Sequence, residues 1–181
     1  MIYVFLAEGF EECEALAPVD ILRRAGLNVQ TVGVGSKTVT GSHGISVVCD
    51  IAEDVAVLEG LEAVILPGGM PGTINLEASK TVNRFIDFAY DNNIILGAIC
   101  AAPLILGHKN ILNGKKATCF TGFENELIGA TVLDQPVVQD SNIITAYGAG
   151  AAFDFGFALL EALSGKETAE SLKKQMRYKV N

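Results

Sequence analysis

The sequence predicts an α/β fold with helices on both faces of a mostly parallel β-sheet. Short apolar runs alternate along the chain with longer segments whose apolar residues recur at helical spacing. The short runs are apolar at most positions, which is typical of strands buried on both faces of a parallel sheet. Because no linker, repeat or composition break divides the chain, we expect a single domain spanning residues 1–181.

Strands are predicted where runs of β-branched and apolar residues are bounded by glycine, proline or polar residues. In chain order, these runs are residues 2–7, 27–34, 45–49, 63–66, 94–99, 117–120 and 143–146. The turn Gly-Ser-His-Gly at 41–44 precedes the third run, and Pro-Gly-Gly at 67–69 follows the fourth. The first and fifth runs are apolar throughout, as expected of buried strands.

Helices are predicted where the apolar spacing changes to about 3.6 residues. In chain order, these segments are residues 12–25, 79–92, 101–109, 153–163 and 167–178. Gly26 follows the first helix and Gly165 the fourth, in the position where glycine ends helices. Pro18 lies inside the first pattern and predicts either a kink or a helix that starts near it.

The composition excludes several functional classes. There are 13 Lys and Arg against 21 Asp and Glu, a net charge of −8 that disfavours binding to nucleic acids and to anionic membranes. The most apolar stretch, residues 94–107, is shorter than the roughly 20 residues of a membrane span and is interrupted by Gly97 and Pro103. No basic segment precedes the first apolar run, so a cytoplasmic protein is expected.

The four cysteines are Cys13, Cys49, Cys100 and Cys119. They form no CxxC pair, so neither a zinc site nor a redox dithiol is indicated, and free thiols are expected. For Cys13, Cys49 and Cys119 we favour the role of a small buried apolar residue. Cys100 differs because it lies where a fully apolar strand ends and a helix is predicted to begin.

That position is typical of a nucleophile elbow, a tight strand-to-helix turn that lifts a Ser or Cys above the sheet. The local sequence is Gly-x-x-Cys-Ala-Ala, in which Gly97 and the alanines suit a crowded turn. A thiol at a helix N-terminus lies near the positive end of the helix dipole. We therefore expect the pKa of Cys100 to be lowered.

Two other loops at the carboxyl ends of predicted strands contain candidate partners of Cys100. The glycines of the Pro-Gly-Gly turn at 67–69 leave backbone N–H groups available for an oxyanion, although an ordinary turn has the same sequence. The loop after the first strand contains the acidic run 8–14, most of which is expected to be solvated. A glutamate of this run buried beside the thiol would have a raised pKa and could donate a proton to sulfur.

Neither histidine is a good candidate for a catalytic base. His108 is eight residues beyond Cys100 on the same predicted helix, about 12 Å along its axis, so it cannot pair with the thiol. His43 lies in the predicted turn at 41–44, where a surface position is the preferred interpretation. A conventional Cys–His pair is therefore poorly supported.

Three segments resemble the ThiJ/PfpI superfamily, and within it the branch of the Parkinson-disease protein deglycase and its bacterial relatives. They are EECEALAPVD at 11–20, LPGG at 66–69 and AICAAP at 98–103, and the resemblance runs from residue 2 to about residue 173. It implies a flavodoxin-like three-layer sandwich, a homodimer and a reactive cysteine on the elbow. No cofactor and no metal are expected.

The resemblance also implies roles for individual residues. Cys100 matches the oxidisable nucleophile, and Glu14 matches a glutamate that, when protonated, hydrogen-bonds its sulfur. Gly69 and Ala101 match the positions whose amides face the site. Ala101 occupies the position where the protease-like branch has a histidine, and residues 118–121 (TCFT) lack the histidine found there in animal deglycases.

The implied function is a cysteine-dependent stress-response protein that acts on reactive aldehydes such as methylglyoxal, or on their adducts with proteins, in the manner of a glyoxalase or deglycase. The alternative is a redox sensor or chaperone without turnover, whose Cys100 oxidises to a sulfinic acid. An amidase or peptidase is disfavoured because Ala101 replaces the histidine. Sequence does not separate the first two functions, since both require the same thiol.

Overall fold

The computed structural model describes residues 1–178 and contains eleven strands and six α-helices within that range. The strands are β1 (Ile2–Leu6), β2 (Val29–Gly33), β3 (Thr38–Thr40), β4 (Ser46–Val48), β5 (Ile51–Ala52), β6 (Ala63–Leu66), β7 (Ile95–Ile99), β8 (Lys116–Ala117), β9 (Thr131–Val132), β10 (Val137–Asp140) and β11 (Ile143–Ala146). The helices are α1 (Glu12–Arg24), α2 (Gly72–Ala78), α3 (Lys80–Asp91), α4 (Pro103–His108), α5 (Ala152–Ser164) and α6 (Lys166–Gln175). The last three residues of the expected domain, 179–181, lie outside the described range.

The central sheet has seven strands in the order β10-β11-β7-β6-β1-β2-β5. All neighbours are parallel except β10, which pairs with β11 in antiparallel fashion. Without its two outermost strands, the sheet has the doubly wound 2-1-3-4-5 order of flavodoxin. The predicted fold class is confirmed. Two-stranded pairs, β3 with β4 and β8 with β9, lie outside this sheet.

Helices cover both faces of the sheet, and each face has its own apolar core. One core combines alternate residues of the central strands with α1, α5 and α6, and the other combines the remaining strand residues with α2, α3 and α4. Phe5 and Leu6 illustrate the alternation, since these adjacent, fully buried residues belong to opposite cores. This two-sided burial explains why β1 is apolar at every position.

Long apolar segments were predicted well and short elements were not. The strands at 2–7, 63–66, 94–99 and 143–146 and the helices at 79–92 and 153–163 are confirmed within two residues at each end. The sequence pattern gave no indication of β3, β5, α2, β9 or β10. Within residues 1–178, no helix is both long and apolar enough to cross a membrane.

Two predicted ends are wrong by three residues. The strand predicted at 117–120 ends at Ala117, because the Thr118 amide donates to the side-chain hydroxyl of Thr145 on β11 and not to a strand carbonyl. The helix predicted at 167–178 ends at Gln175. The helix predicted at 101–109 is confirmed within two residues, since it begins at Pro103 after a tight turn. Pro18 lies inside α1, which begins at Glu12 as predicted, and it lacks the N–H that would normally bond the Glu14 carbonyl.

Gly107, in α4, allows the segment at residues 126–127 to pack closely against this helix. A Cβ atom at this position would lie 2.1 Å from the Glu126 carbonyl oxygen and 2.8 Å from Leu127 Cα. Both are backbone atoms that cannot rotate away. We expect Gly107→Ala to lower the free energy of unfolding by about 1–3 kcal/mol in urea titrations, although alanine favours helices.

Gly150→Ala is the matched control, because a Cβ atom there meets nothing within 4 Å. Its unfolding free energy is expected to stay within about 0.5 kcal/mol of the parent. Equal stabilities of the two variants would contradict the packing argument.

Candidate active site

Cys100 lies on a strained turn immediately after β7. Its φ of +65° places it in the left-handed region, which non-glycine residues seldom adopt and which is found at nucleophile elbows. Its amide donates to the Ala146 carbonyl (2.9 Å), and its own carbonyl accepts from the Phe120 amide (2.8 Å). The backbone of Cys100 is therefore held from both sides, and its side chain is partly exposed.

The segment after Cys100 is a turn before it becomes a helix. The amides of Ala102 and Leu104 each donate to a carbonyl three residues earlier, and Pro103 has no N–H to donate. The helix that follows, α4, has only six residues. A helix dipole at Cys100 is accordingly weak, and individual amides determine the polarity around the sulfur.

Glu14 is the acidic partner of Cys100. It lies in the first turn of α1 and is 1% exposed. Its backbone amide donates to the Glu11 carboxylate (2.7 Å), which caps the helix, and its Oε2 accepts from the Gly68 amide (2.9 Å). The carboxyl also hydrogen-bonds the thiol of Cys100. Oε1 is buried and has no hydrogen-bond partner among the described residues.

Gly68 and Gly69 bring the loop after β6 against this pair. A Cβ atom on Gly68 would lie 2.6 Å from Cys100 Cβ and 2.7 Å from Glu14 Oε2, so only glycine fits there. Gly69 has a φ of +88°, and its amide hydrogen-bonds the sulfur of Cys100, as does the amide of Ala101. The structure thus brings Glu14, Gly69, Cys100 and Ala101 together.

Burial raises the pKa of Glu14 to about 7, and the nearby charge of Glu11 adds to this effect. The hydrogen bonds from Cys100 and the Gly68 amide act in the opposite direction but do not offset burial. Glu14 is therefore the glutamate of the acidic run that meets the condition stated above, since it is buried beside the thiol and its pKa is raised. This carboxyl can take up or release a proton near neutral pH.

The expected lowering of the Cys100 pKa is wrong while Glu14 is ionised. Burial is the largest cause and the charge of Glu14 the second largest, and together they raise the pKa of Cys100 to about 12. The amides of Gly69 and Ala101 lower it by less. The pair therefore carries at most one negative charge across the neutral range: both groups are protonated below about pH 7, and above it the charge lies on Glu14. A thiolate requires the proton to be on Glu14.

Both histidines are held away from the thiol by glutamates. His108 is the last residue of α4, as predicted, and contacts Glu77 (2.5 Å) and Glu126 (2.9 Å) through its two ring nitrogens. His43 lies exposed in the 41–44 turn, as predicted, and its Nδ1 is 3.0 Å from Glu12. Glu11, Glu12 and His43 form a cluster whose potential metal-ligand atoms all lie within 4.8 Å of one another. Glu12 already accepts hydrogen bonds from the His43 and Ile45 amides there.

The other three cysteines are free, and two of them are buried as predicted. Cys49 packs in the core that also contains the buried face of α1. Burial and the charge of Glu124 raise the pKa of Cys119 to about 11. The prediction for Cys13 is wrong, because this residue is exposed on the outer side of α1. Its acidic neighbours, Glu11 first, raise the pKa of Cys13.

An open cavity of about 740 Å³ lies next to the elbow. Its walls are the loop after β8, the segment after β9 and the residue that follows β11. The lining residues are Thr118, Cys119, Phe120, Thr121, Glu124, Val132, Leu133, Asp134 and Tyr147. The sequence singled out residues 118–121 only for the histidine that they lack, and gave no indication of the segment at 132–134.

Comparison with known proteins identifies the family. The family model described as DJ-1/PfpI matches residues 1–162. The chain belongs to the DJ-1/PfpI family. It is 32% identical to Protein dj-1beta of Drosophila melanogaster over 181 residues, covering 98% of this chain and 97% of that protein. It is 30% identical to the glutathione-independent glyoxalase DJR-1.2 of Caenorhabditis elegans, covering 93% and 91% of the two chains.

Solved structures show the same similarity at the level of the fold. The oxidized DJ-1 of Toxoplasma gondii superposes with a TM-score of 0.94 at 28% identity, covering 99% of this chain and 98% of that one. The resemblance drawn from the three sequence segments and the flavodoxin-like sandwich it implied are thereby confirmed.

Two features of the site were missed by sequence analysis. The amide of Gly68 hydrogen-bonds Glu14, whereas the amides of the Pro-Gly-Gly turn were expected to serve an oxyanion. The amide of Phe120 holds the Cys100 carbonyl, a contact between residues twenty positions apart that no local pattern indicates. The two adjacent glycines were the signal that could have identified Gly68.

The raised pKa of Glu14 predicts a pH-dependent effect of Glu14→Gln on stability. Because the folded protein favours the protonated carboxyl, the stability that Glu14 contributes is complete below about pH 4.5 and is lost as the pH rises through about 7. Glutamine does not titrate. We expect the unfolding free energy of the variant, relative to the parent, to rise by as much as about 3 kcal/mol between pH 5 and pH 8.

Urea titrations across this pH range measure the difference, with the exposed Glu59→Gln as the control. A stability difference between parent and Glu14→Gln that stays constant with pH would show that burial does not raise the pKa of Glu14.

Proposed function

We propose that this protein is a cysteine-dependent enzyme that converts reactive aldehydes, of which methylglyoxal is the simplest, in a glyoxalase- or deglycase-like reaction. The observation that carries this proposal is the contact between Cys100 and a buried carboxyl, Glu14, whose pKa is raised to about 7. A nucleophile beside a group that exchanges protons near neutral pH suits this reaction. The glyoxalase name of the C. elegans relative supports the same class.

In the first step, the sulfur of Cys100 attacks the aldehyde carbon of methylglyoxal. A sulfur–carbon bond forms and the carbonyl π bond breaks, while the proton of the Cys100 thiol passes through the Glu14 carboxylate to the oxygen and gives a hemithioacetal. The amides of Gly69 and Ala101, which already hydrogen-bond the sulfur, are placed to stabilise the developing oxyanion.

In the second step, the Glu14 carboxylate removes the proton from the carbon bonded to sulfur and returns it to the neighbouring carbon. The resulting thioester of lactate is hydrolysed by water, which releases lactate and regenerates the thiol. One water is consumed, and no oxidant or reductant is needed. Glu14 alone serves as the proton shuttle, because the histidines contact glutamates elsewhere.

A redox-sensing role is the second candidate. Cys100 is partly exposed, and a protonated Glu14 can donate a hydrogen bond to an oxygen of a sulfinic acid. The similarity to a T. gondii DJ-1 solved in oxidized form favours this role. Peptidase activity is not proposed, since Ala101 follows the cysteine and no histidine pairs with it.

We also propose that the chain forms a homodimer, as the family resemblance implies. Large apolar side chains are exposed on α1 and on the β3–β4 hairpin, namely Leu16, Ile45 and Val48. Burial of these side chains by a second copy would account for their exposure in a single chain.

Cys100→Ser and Glu14→Gln test the proposed reaction. Cys100→Ser is expected to abolish lactate formation from methylglyoxal, because serine is a far weaker nucleophile. Glu14→Gln is expected to lower kcat by about 10²–10⁴-fold, because glutamine cannot accept the proton, while its thiol still reacts with iodoacetamide. Cys13→Ser, at an exposed position, is the control that keeps activity. Unchanged turnover in both site variants would rule out the mechanism.

Mild peroxide treatment followed by peptide mass spectrometry tests the redox role. The sulfinic acid is expected at Cys100 and to a far smaller extent at Cys49 and Cys119, which are buried. Glu14→Gln still donates a hydrogen bond through its amide, so oxidation at Cys100 is expected to persist in that variant. Equal oxidation of all four cysteines would count against a sensing role.

A further inference from the structure

His108 bridges two segments that both contribute to the surroundings of Cys100. It is the last residue of α4, and its side chain is 36% exposed. Its Nδ1 lies 2.5 Å from a carboxylate oxygen of Glu77 in α2, and its Nε2 lies 2.9 Å from a carboxylate oxygen of Glu126. Each ring nitrogen therefore faces a different carboxylate, and each carboxylate belongs to a different segment of the chain.

Only the charged form of the His108 ring can donate to both partners. A carboxylate is solely an acceptor, so each of the two contacts requires a hydrogen on the ring nitrogen. The neutral ring has one such hydrogen, and its other nitrogen would direct a lone pair at a carboxylate. Loss of the proton consequently breaks one of the two contacts and leaves repulsion in its place.

The charged residues next to this bridge have other partners. Lys109, which follows the histidine, pairs with Asp87 of α3 (2.8 Å). Glu124, which shares a short 3₁₀ helix with Glu126, accepts from the amide at position 122 (2.8 Å). Within residues 1–178, the two bridged glutamates are the only charged groups that pair with the histidine ring.

The bridge is sensitive to pH in the neutral range. The hydrogen bonds to Glu126 and then to Glu77 raise the pKa of His108 above its usual 6.5, and burial opposes them only in part. Because the folded protein favours the charged ring, the bridge is complete below about pH 6.5 and is lost as the pH rises through the raised pKa.

One end of the bridge holds a wall of the cavity. Glu126 ends the 3₁₀ helix that begins with Glu124, which lines the cavity. Phe120, another lining residue, is fixed by its amide bond to the Cys100 carbonyl. Between Phe120 and Glu126, every residue except Phe123 is exposed, so little burial holds this stretch in place without the bridge.

The other end of the bridge is attached to the loop after β6. Glu77 lies in α2, which begins three residues after Gly69, and the Gly69 amide hydrogen-bonds the sulfur of Cys100. His108 thus connects the cavity wall to the segment that contacts the thiol.

We propose that His108, Glu77 and Glu126 form a pH-sensitive clasp, which holds the cavity wall in place while the ring is charged and releases it when the ring loses its proton. The clasp controls access to Cys100, whereas ionisation of the thiol depends on Glu14. Its role as a regulator rests on the proposed function, since the wall borders the thiol that carries the proposed reaction.

A pair of maleimides measures access to Cys100 separately from its ionisation. N-ethylmaleimide and the bulkier N-(1-pyrenyl)maleimide react with the same thiolate by the same addition, so the ratio of the bulky to the small rate cancels the thiolate fraction. Modification at Cys100 is followed by peptide mass spectrometry. In the parent, the ratio is expected to rise about three- to tenfold between about pH 6 and about pH 8.5, as the clasp opens.

Three variants identify the group responsible. His108→Gln carries no charge at any pH, so its ratio is expected to be high and independent of pH. His43→Gln is the matched control, because it removes the other histidine, which is bonded to Glu12 outside the clasp, and it should keep the rise. Glu14→Gln should keep the rise as well, which excludes titration of Glu14 as its cause.

A ratio that does not change with pH in the parent, or a rise that persists in His108→Gln, would overturn the proposal. Neither outcome depends on aldehyde turnover, because the reagents report only access to the thiol. If the clasp opens as expected but no aldehyde is converted, the clasp stands and the proposed enzymatic function fails.

Nitrogen-15 NMR of the His108 ring tests the charge directly. Both ring nitrogens of the parent are expected to keep the shifts of an imidazolium up to a midpoint above pH 6.5. Glu126→Gln and Glu77→Gln should each lower this midpoint, Glu126→Gln by more, because its hydrogen bond is the larger cause. A parent midpoint at or below pH 6.5, or one that neither variant changes, would contradict the clasp.

Discussion

The contact between Cys100 and Glu14 is the constraint to which the surrounding structure conforms. A carboxyl that is 1% exposed cannot readily be ionised, and a thiol beside an ionised carboxyl cannot lose its proton, so the two groups share one charge. The neighbouring residues maintain this arrangement. Glu11 caps the helix that carries Glu14, Gly68 leaves room for both side chains, and the left-handed backbone of Cys100 directs its sulfur to the same point.

The sheet topology explains how residues 14, 68 and 100 meet. Their segments follow β1, β6 and β7, which are neighbours in the sheet and run in the same direction. The chain reverses its winding between β1 and β6, where doubly wound folds have a crevice at the carboxyl ends of the strands. The amide of Glu11 donates to the Gly68 carbonyl (2.9 Å), which joins the first two loops. The site is therefore a product of the fold.

The sequence predicted features determined by local pattern and missed those determined by distant contacts. The strands at 2–7 and 94–99 were predictable because burial on both faces requires apolar residues throughout. The edge strand β10 was missed because Val137–Asp140 has no such requirement. Glu14 and Cys100 were predicted, yet the pKa of the thiol was not. It depends on burial and on the charge of Glu14, which lies 86 residues earlier in the sequence and meets the thiol only in the folded protein.

The two ends of the sheet limit how the molecule can associate with others through its backbone. One end is β5, with two residues, and the other is β10, which runs against its neighbour and ends at Asp140. Strands this short or this polar offer few free hydrogen-bonding groups to an incoming strand. Because a net charge of −8 also makes copies of the chain repel one another, both features disfavour growth into filaments.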